Sequence, residues 1–254
     1  MLSQAGVETH IENGIATISF FHPQSNAMPA SQLQALAQSI TAIGQNPNVN
    51  VLIIQSQGEK TFCAGASFDE LMAIDNPKSG LDFFSGFAHV INAMRTIPQL
   101  IIARIQGKAV GGGVGIACSA DYTFAHTSAA VKLSELAVGI GPFVVGPAVE
   151  RKIGVAAFSQ LAINATEWQT AEWALQKGMY QELHESIESL NQAVNKLAFT
   201  LSKSNPEATK ALKTVFWQNT EHWDTLLLQR AQISGSLVTS SFTRQAIQKF
   251  KTQR

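Results

Sequence analysis

The chain has 254 residues, 45% of them hydrophobic and 14% charged, so it carries enough apolar side chains for a large core and too few charges for a disordered protein. Eighteen Lys and Arg balance eighteen Asp and Glu, which excludes a global field drawing the chain to nucleic acid or to anionic lipid; a polyanionic ligand must be gripped locally. The two cysteines, Cys63 and Cys118, lie in apolar, glycine-flanked segments without metal-site or disulfide-framework spacing, so buried free thiols and no metal site are expected.

Strand patterns come first. VETHIE and GIATISF alternate in polarity on either side of Asn13-Gly14, a hairpin signal. From Ser31 to Ile43, Leu33, Leu36, Ala37, Ile40 and Ile43 recur at helical spacing, with Ser31 as the expected cap. VNVLIIQSQ reads as a buried strand, TFCAGASFDELMAI as a loop entering a helix, and Phe83 to Met94 as a helix with an aromatic face. QLIIARIQG is the next strand; ADYTFAH and AAVKLSEL add two shorter ones. Beyond Val144 the pattern is helical: Val144 to Ile153, Val155 to Asn164, Thr170 to Lys177, Glu185 to Ser202, and Pro206 to the end. The order predicts an α/β fold with crossover connections, a core over residues 1–200, and a helical region over 201–254 that begins where SKSNP breaks the periodicity.

The N-terminal MLSQAGVETHIENG has neither a basic nor an apolar leader region, and no apolar run is long enough to span a bilayer. A cytoplasmic protein without membrane contact is expected. The low charge fraction leaves apolar surface to cover, which predicts a homo-oligomer.

The segment GKAVGGGVGIACSADY concentrates glycines between a strand and a helix start. A dinucleotide fingerprint fails, because its third glycine would fall on Ile116 or Cys118; the phosphate loop fails as well, because GEKT lacks the preceding glycine and the adjacent Gly-Lys order. A tight turn for close packing is the simplest reading of the glycines alone. The loop TFCAGASF, however, follows its own strand in the same way, and two small-residue loops at the carboxyl ends of strands can converge two backbone N–H groups on one carbonyl oxygen.

These segments carry a resemblance. FCAGASFDEL resembles the FCAGADxxEL loop of the enoyl-CoA hydratase/isomerase (crotonase) superfamily, and GKAVGGGVGIACSADYTFA resembles its GxAxGGGxExAxxxDxxxA segment. LSELAVGIGPFVVGPAVERKIG is similar to its QPExxxGxxPxxGGxxxLxxxxG. The resemblance implies the crotonase fold, a β/α spiral with a helical C-terminal trimerisation region, assembled as a homotrimer or homohexamer. It implies an acyl-CoA substrate and no separate cofactor, coenzyme A being part of the substrate.

By position, the resemblance implies that the N–H groups of Ala66 and Gly112 hold a thioester carbonyl and that Glu135 is the acid–base carboxylate. The superfamily's other glutamate falls on Gly115. Water addition by two carboxylates is then incomplete, whereas moving a double bond from the 3 to the 2 position needs one base and an oxyanion hole. The isomerases of the superfamily share this pattern and have a Gly-Ile pair shortly before Pro-Phe, which GIGPF ending at Phe143 resembles. Isomerisation is therefore expected, with hydration and a noncatalytic acyl-CoA binder as alternatives.

The apolar neighbours of Glu135 should raise its pKa from about 4.3 towards 6 to 7. The resemblance also places Ala64, Lys60, Asn26, Ala27, Gly111, Gly115 and Phe143 along the substrate groove, and Lys249 and Lys251 within reach of a neighbouring subunit's ligand. Ser67 is expected as a helix cap, with Asp69 or Glu70 as a lesser candidate for the missing carboxylate. Phe83, Phe84, Phe87 and Met72 are expected either in an acyl pocket or in plain core.

Overall fold

The structure, a computed structural model, describes residues 4–252. It begins with a hairpin of β1 (Gly6–Glu12) and β2 (Ile15–Phe21), whose Asn13 and Gly14 both take positive φ, 51° and 79°, as a two-residue turn of the right twist requires. Helix α1 (Ala30–Gly44) follows, then β3 (Val51–Ser56), β4 (Thr61–Cys63), α2 (Phe68–Ala73), α3 (Pro77–Thr96), β5 (Leu100–Ile105), β6 (Lys108–Val110) and α4 (Gly112–Cys118). Next come β7 (Tyr122–His126), β8 (Val131–Lys132), a single 3-10 turn Leu136–Val138, α5 (Gly146–Ile163), α6 (Ala171–Gln176) and β9 (Glu182–His184). Four helices close the chain: α7 (Ile187–Ser202), α8 (Pro206–Phe216), α9 (Trp223–Leu237) and α10 (Ser241–Thr252).

Two sheets result. One has the order β1-β2-β3-β5-β7-β9 and is parallel except for the hairpin; the other is the parallel trio β4-β6-β8. β3 is apolar on both faces because both are covered. Leu52 and Ile54 face the main core, while Val51 and Ile53 join Ile102 and Phe124 under Leu190, Val194 and Ala198 of α7. The main core lies between the large sheet, the small sheet and helices α1, α3 and α4.

Several elements differ from expectation for identifiable reasons. Ser31 is exposed and caps nothing; the first N–H of α1, on Ala30, is instead satisfied by Glu70 Oε2 of α2 at 2.7 Å. The aromatic helix starts six residues before Phe83, because Asn76 Oδ1 accepts from Lys78 and Ser79 N–H and Pro77 fits the first helical turn. AAVKLSEL pairs only at Val131 and Lys132 before bending into the 3-10 turn. β9 lay inside QELHE, too short to show a period. The expected break between two helices is Gly154, at φ 77° and ψ 160° within α5, and the break between α7 and α8 falls at 203–205 as SKSNP indicated.

Asp121 ties the C-terminal helices to the sheet. Its carboxylate accepts from Ile101 N (2.7 Å), Trp217 Nε1 (2.8 Å) and Lys213 Nζ (2.6 Å), and both side chains of the ion pair are almost wholly buried. Replacing the carboxylate leaves a buried ammonium and two orphan donors, and removing one partner of such a pair costs about 3–5 kcal/mol. Asp121→Ala is therefore expected to lower the free energy of unfolding in urea by about that amount; a loss below about 1 kcal/mol contradicts this anchoring role.

Candidate active site

The site is built from three segments that the small sheet brings side by side. After β4, the chain runs through Ala64 and Gly65 (φ 82°) to Ala66 and Ser67, whose hydroxyl caps α2 by accepting from Glu70 N–H at 3.4 Å. Met28 runs beside Ala66, its N–H donating to Gly65 O (2.8 Å) and its carbonyl accepting from Ser67 N–H (3.1 Å). Because successive N–H groups of an extended chain point to opposite sides, the Ala66 N–H points away from Met28, and it has no acceptor among the described residues.

After β6, the Gly111 N–H donates to Lys132 O (2.9 Å) and the chain turns through φ 53° and ψ −117° into α4. The N–H of Gly112, the first helical residue, has no partner one turn back and none elsewhere among the described residues. The two loops touch: a Cβ on Gly65 would stand 2.9 Å from Val110 O and 3.5 Å from Gly112 N.

The third segment follows β8 and delivers Glu135. A Cβ on Gly111 would lie 2.9 Å from Glu135 Oε1, so only glycine lets the backbone pass this close to the carboxylate. Glu135 is half-buried as a residue, but its carboxylate is sealed in: Oε2 is inaccessible and has no hydrogen-bond partner among the described residues. Burial pushes its pKa up from 4.5 to about 7, against a smaller opposing effect of its own backbone N–H.

These groups border a cavity of about 60 Å³ whose remaining wall is almost entirely apolar, with Leu71, Phe84, Phe87, Val138, Phe143 and Val145 among its members. Ala64, Ala66, Gly111, Gly112, Glu135 and Phe143 of the expected site thus meet around one space. Phe84 and Phe87 are wall and core at once, Phe83 supports both edge-on, and Met72 is exposed outside the cavity.

Four expected residues lie outside this wall. Asn26 is spent on the fold: it accepts from His22 N–H (2.9 Å) and donates to Gln57 O (2.8 Å) and Thr61 O (2.9 Å), clamping the approach to the first loop. Ala27 is buried beside it. Lys60 is exposed, with its carbonyl bonded to Lys108 N–H (3.1 Å). Gly115 faces Val145: a Cβ there would come within 2.5 Å of Val145 Cγ1. The motif quoted above has two adjacent glycines where this chain reads Val145-Gly146, so the side chain gained at 145 occupies the space lost at 115.

Asp69 and Glu70 do not replace the missing carboxylate, being bonded to Gln24 Nε2 (2.9 Å) and Ala30 N–H (2.7 Å) away from the cavity. Cys63 is no nucleophile, since burial pushes its thiol up to about 12. The side chain of Lys251 lies outside the described residues, and Lys249 belongs to α10, away from the wall. Sequence reasoning missed Leu71, Val138, Val145 and Ser234. Only Val145 carried a signal, as a departure from the glycine pair.

The family model described as enoyl-CoA hydratase/isomerase matches residues 10–254. The carnitinyl-CoA dehydratase of Salmonella arizonae is 30% identical over 201 residues, covering 79% of this chain and 76% of that protein. The short-chain-enoyl-CoA hydratase of Clostridium acetobutylicum is 26% identical over 246 residues, covering 96% and 93%. An enoyl-CoA hydratase structure from Bacillus halodurans superimposes with a TM-score of 0.88 at 22% identity, covering 96% of this chain and 99% of that one, which shows a shared fold. No helix among the described residues is long and apolar enough to cross a membrane.

Proposed function

The chain is an enzyme of the enoyl-CoA hydratase/isomerase family acting on acyl-CoA, and we propose that it moves the double bond of a 3-enoyl-CoA to the 2 position with Glu135 as the acid–base group. The thioester oxygen accepts from the N–H groups of Ala66 and Gly112, which acidifies the C2 hydrogens. The Glu135 carboxylate removes one of these protons, and the electron pair left behind moves onto the oxygen as a conjugated enolate. The protonated Glu135, with a pKa near 7, then returns the proton at C4 as the pair shifts to form the 2,3 double bond. No proton or electron is gained or lost overall.

The observation that carries this reading is that Glu135 is the one ionisable side chain in the cavity wall among the described residues. The filling of the space beside Gly115 by Val145 supports it further, because no second carboxylate stands there to help orient a water. The 30% identity to a carnitinyl-CoA dehydratase favours hydration or dehydration as the second reading.

Purified protein offered 3-enoyl-CoA and 2-enoyl-CoA of several chain lengths separates the readings. Shift of the double bond without water addition is expected; hydration of the 2-enoyl thioester supports the second reading, and binding with neither reaction supports a noncatalytic acyl-CoA binder. Since the proton and electron bookkeeping closes between substrate and Glu135, dialysis against a chelator should leave the rate unchanged. A rate lost on dialysis and restored by a divalent metal would overturn that part of the proposal.

A further inference from the structure

The cavity wall includes one residue from the C-terminal helices, Ser234 of α9. α9 comes this close because two glycines meet where it crosses α3: a Cβ on Gly80 would stand 2.6 Å from Gly235 Cα, and one on Gly235 would stand 2.5 Å from Leu81 N. Ser234 is 1% exposed. A buried serine at a helix can satisfy its hydroxyl on the carbonyl one turn back, as Ser119 does with Gly115 O at 2.8 Å. The Ser234 hydroxyl has no such bond and no other partner among the described residues, and its oxygen opens onto the cavity. Apart from Ser134 and Glu135, the rest of the wall offers only apolar side chains and glycine. A hydroxyl that opens onto such a wall can be completed by a polar group of the ligand, which displaces water from it.

We infer that Ser234 selects acyl-CoA thioesters whose acyl chain carries a carbonyl or hydroxyl oxygen, which the Ser234 hydroxyl hydrogen-bonds. The inference rests on the acyl-CoA reading of the cavity. A site built around a hydrogen-bonding group discriminates against the analogue that leaves it unpaired.

The test compares equilibrium binding of two saturated, unreactive thioesters of matched length, pentanoyl-CoA and 4-oxopentanoyl-CoA, by titration calorimetry. Wild type is expected to prefer the oxo compound by about threefold to tenfold. The preference should fall to about unity in Ser234→Ala and lie between in Ser234→Cys, which keeps the size of the side chain and a weak donor. Equal binding of the two thioesters by wild type, or a preference that survives Ser234→Ala, overturns the inference while the acyl-CoA reading stands. Failure of wild type to bind either thioester overturns the acyl-CoA reading itself.

Discussion

Glu135→Gln is expected to lower kcat/KM for the 3-enoyl thioester by roughly 10²–10⁴-fold, the usual contribution of a positioned acid–base group. Gln keeps the size and burial of the side chain but can neither take the C2 proton nor return it. The wild-type pH profile follows from the same carboxyl. Only its ionised form abstracts a proton, so kcat/KM should rise about tenfold per unit at acid pH and level off above about 7. A profile flat between pH 5 and 8, or a Gln variant with wild-type turnover, would remove Glu135 from the mechanism.

The same substitution carries a stability signature of opposite sign. The folded-state pKa is raised from 4.5 to about 7, so between these values the folded chain holds a proton that the unfolded chain has released. Stability is therefore lost as pH rises through this window, and above pH 7 the penalty of the buried carboxylate is complete, at roughly 3 kcal/mol. Glu135→Gln escapes it. The variant should be more stable than wild type in urea at pH 8 by about that amount, with the difference closing towards pH 4.5. An inactive protein that is more stable at pH 8 identifies a functional residue held at structural expense.

Gly112→Ala is expected to cost about 10²–10³-fold in kcat, through displacement of an oxyanion donor. An added Cβ would stand 2.5 Å from Phe87 Cζ and closer still to Cε1. Phe87 cannot swing aside freely, because it is buried in the core and held edge-on to Phe83 with ring centroids 6.4 Å apart. The loop must yield, carrying the Gly112 N–H with it, and overpacking adds about 1–3 kcal/mol of destabilisation. Phe87→Leu in the same chain relieves the overlap and should recover part of the rate. Full activity in Gly112→Ala would show that the thioester oxygen is held elsewhere.

Some of this site was legible in one dimension. Ser67 as a cap, the hairpin at Asn13-Gly14 and the break at Gly154 follow from local backbone chemistry, because each feature is made by residues within a few positions of one another. Glu135 and the two glycine loops were legible as well, since each lies in a short segment whose residue types are dictated by what the backbone must do there. Asn26 was legible as a turn, but the clamp it makes was not, because its partners, Gln57 and Thr61, are more than thirty positions away.

What only the tertiary structure decided is how distant segments share volume. Position 115 reads along the chain as a missing carboxylate; in space it is a contact, with Val145 packed where a longer side chain would stand. Ser234 enters the cavity because Gly80 and Gly235, 155 positions apart, allow two helices to touch. Turns, caps and charge spacing are governed by interactions a few bonds long and can be read in order. Close packing is set by whichever side chains the fold brings together, and no local pattern records that.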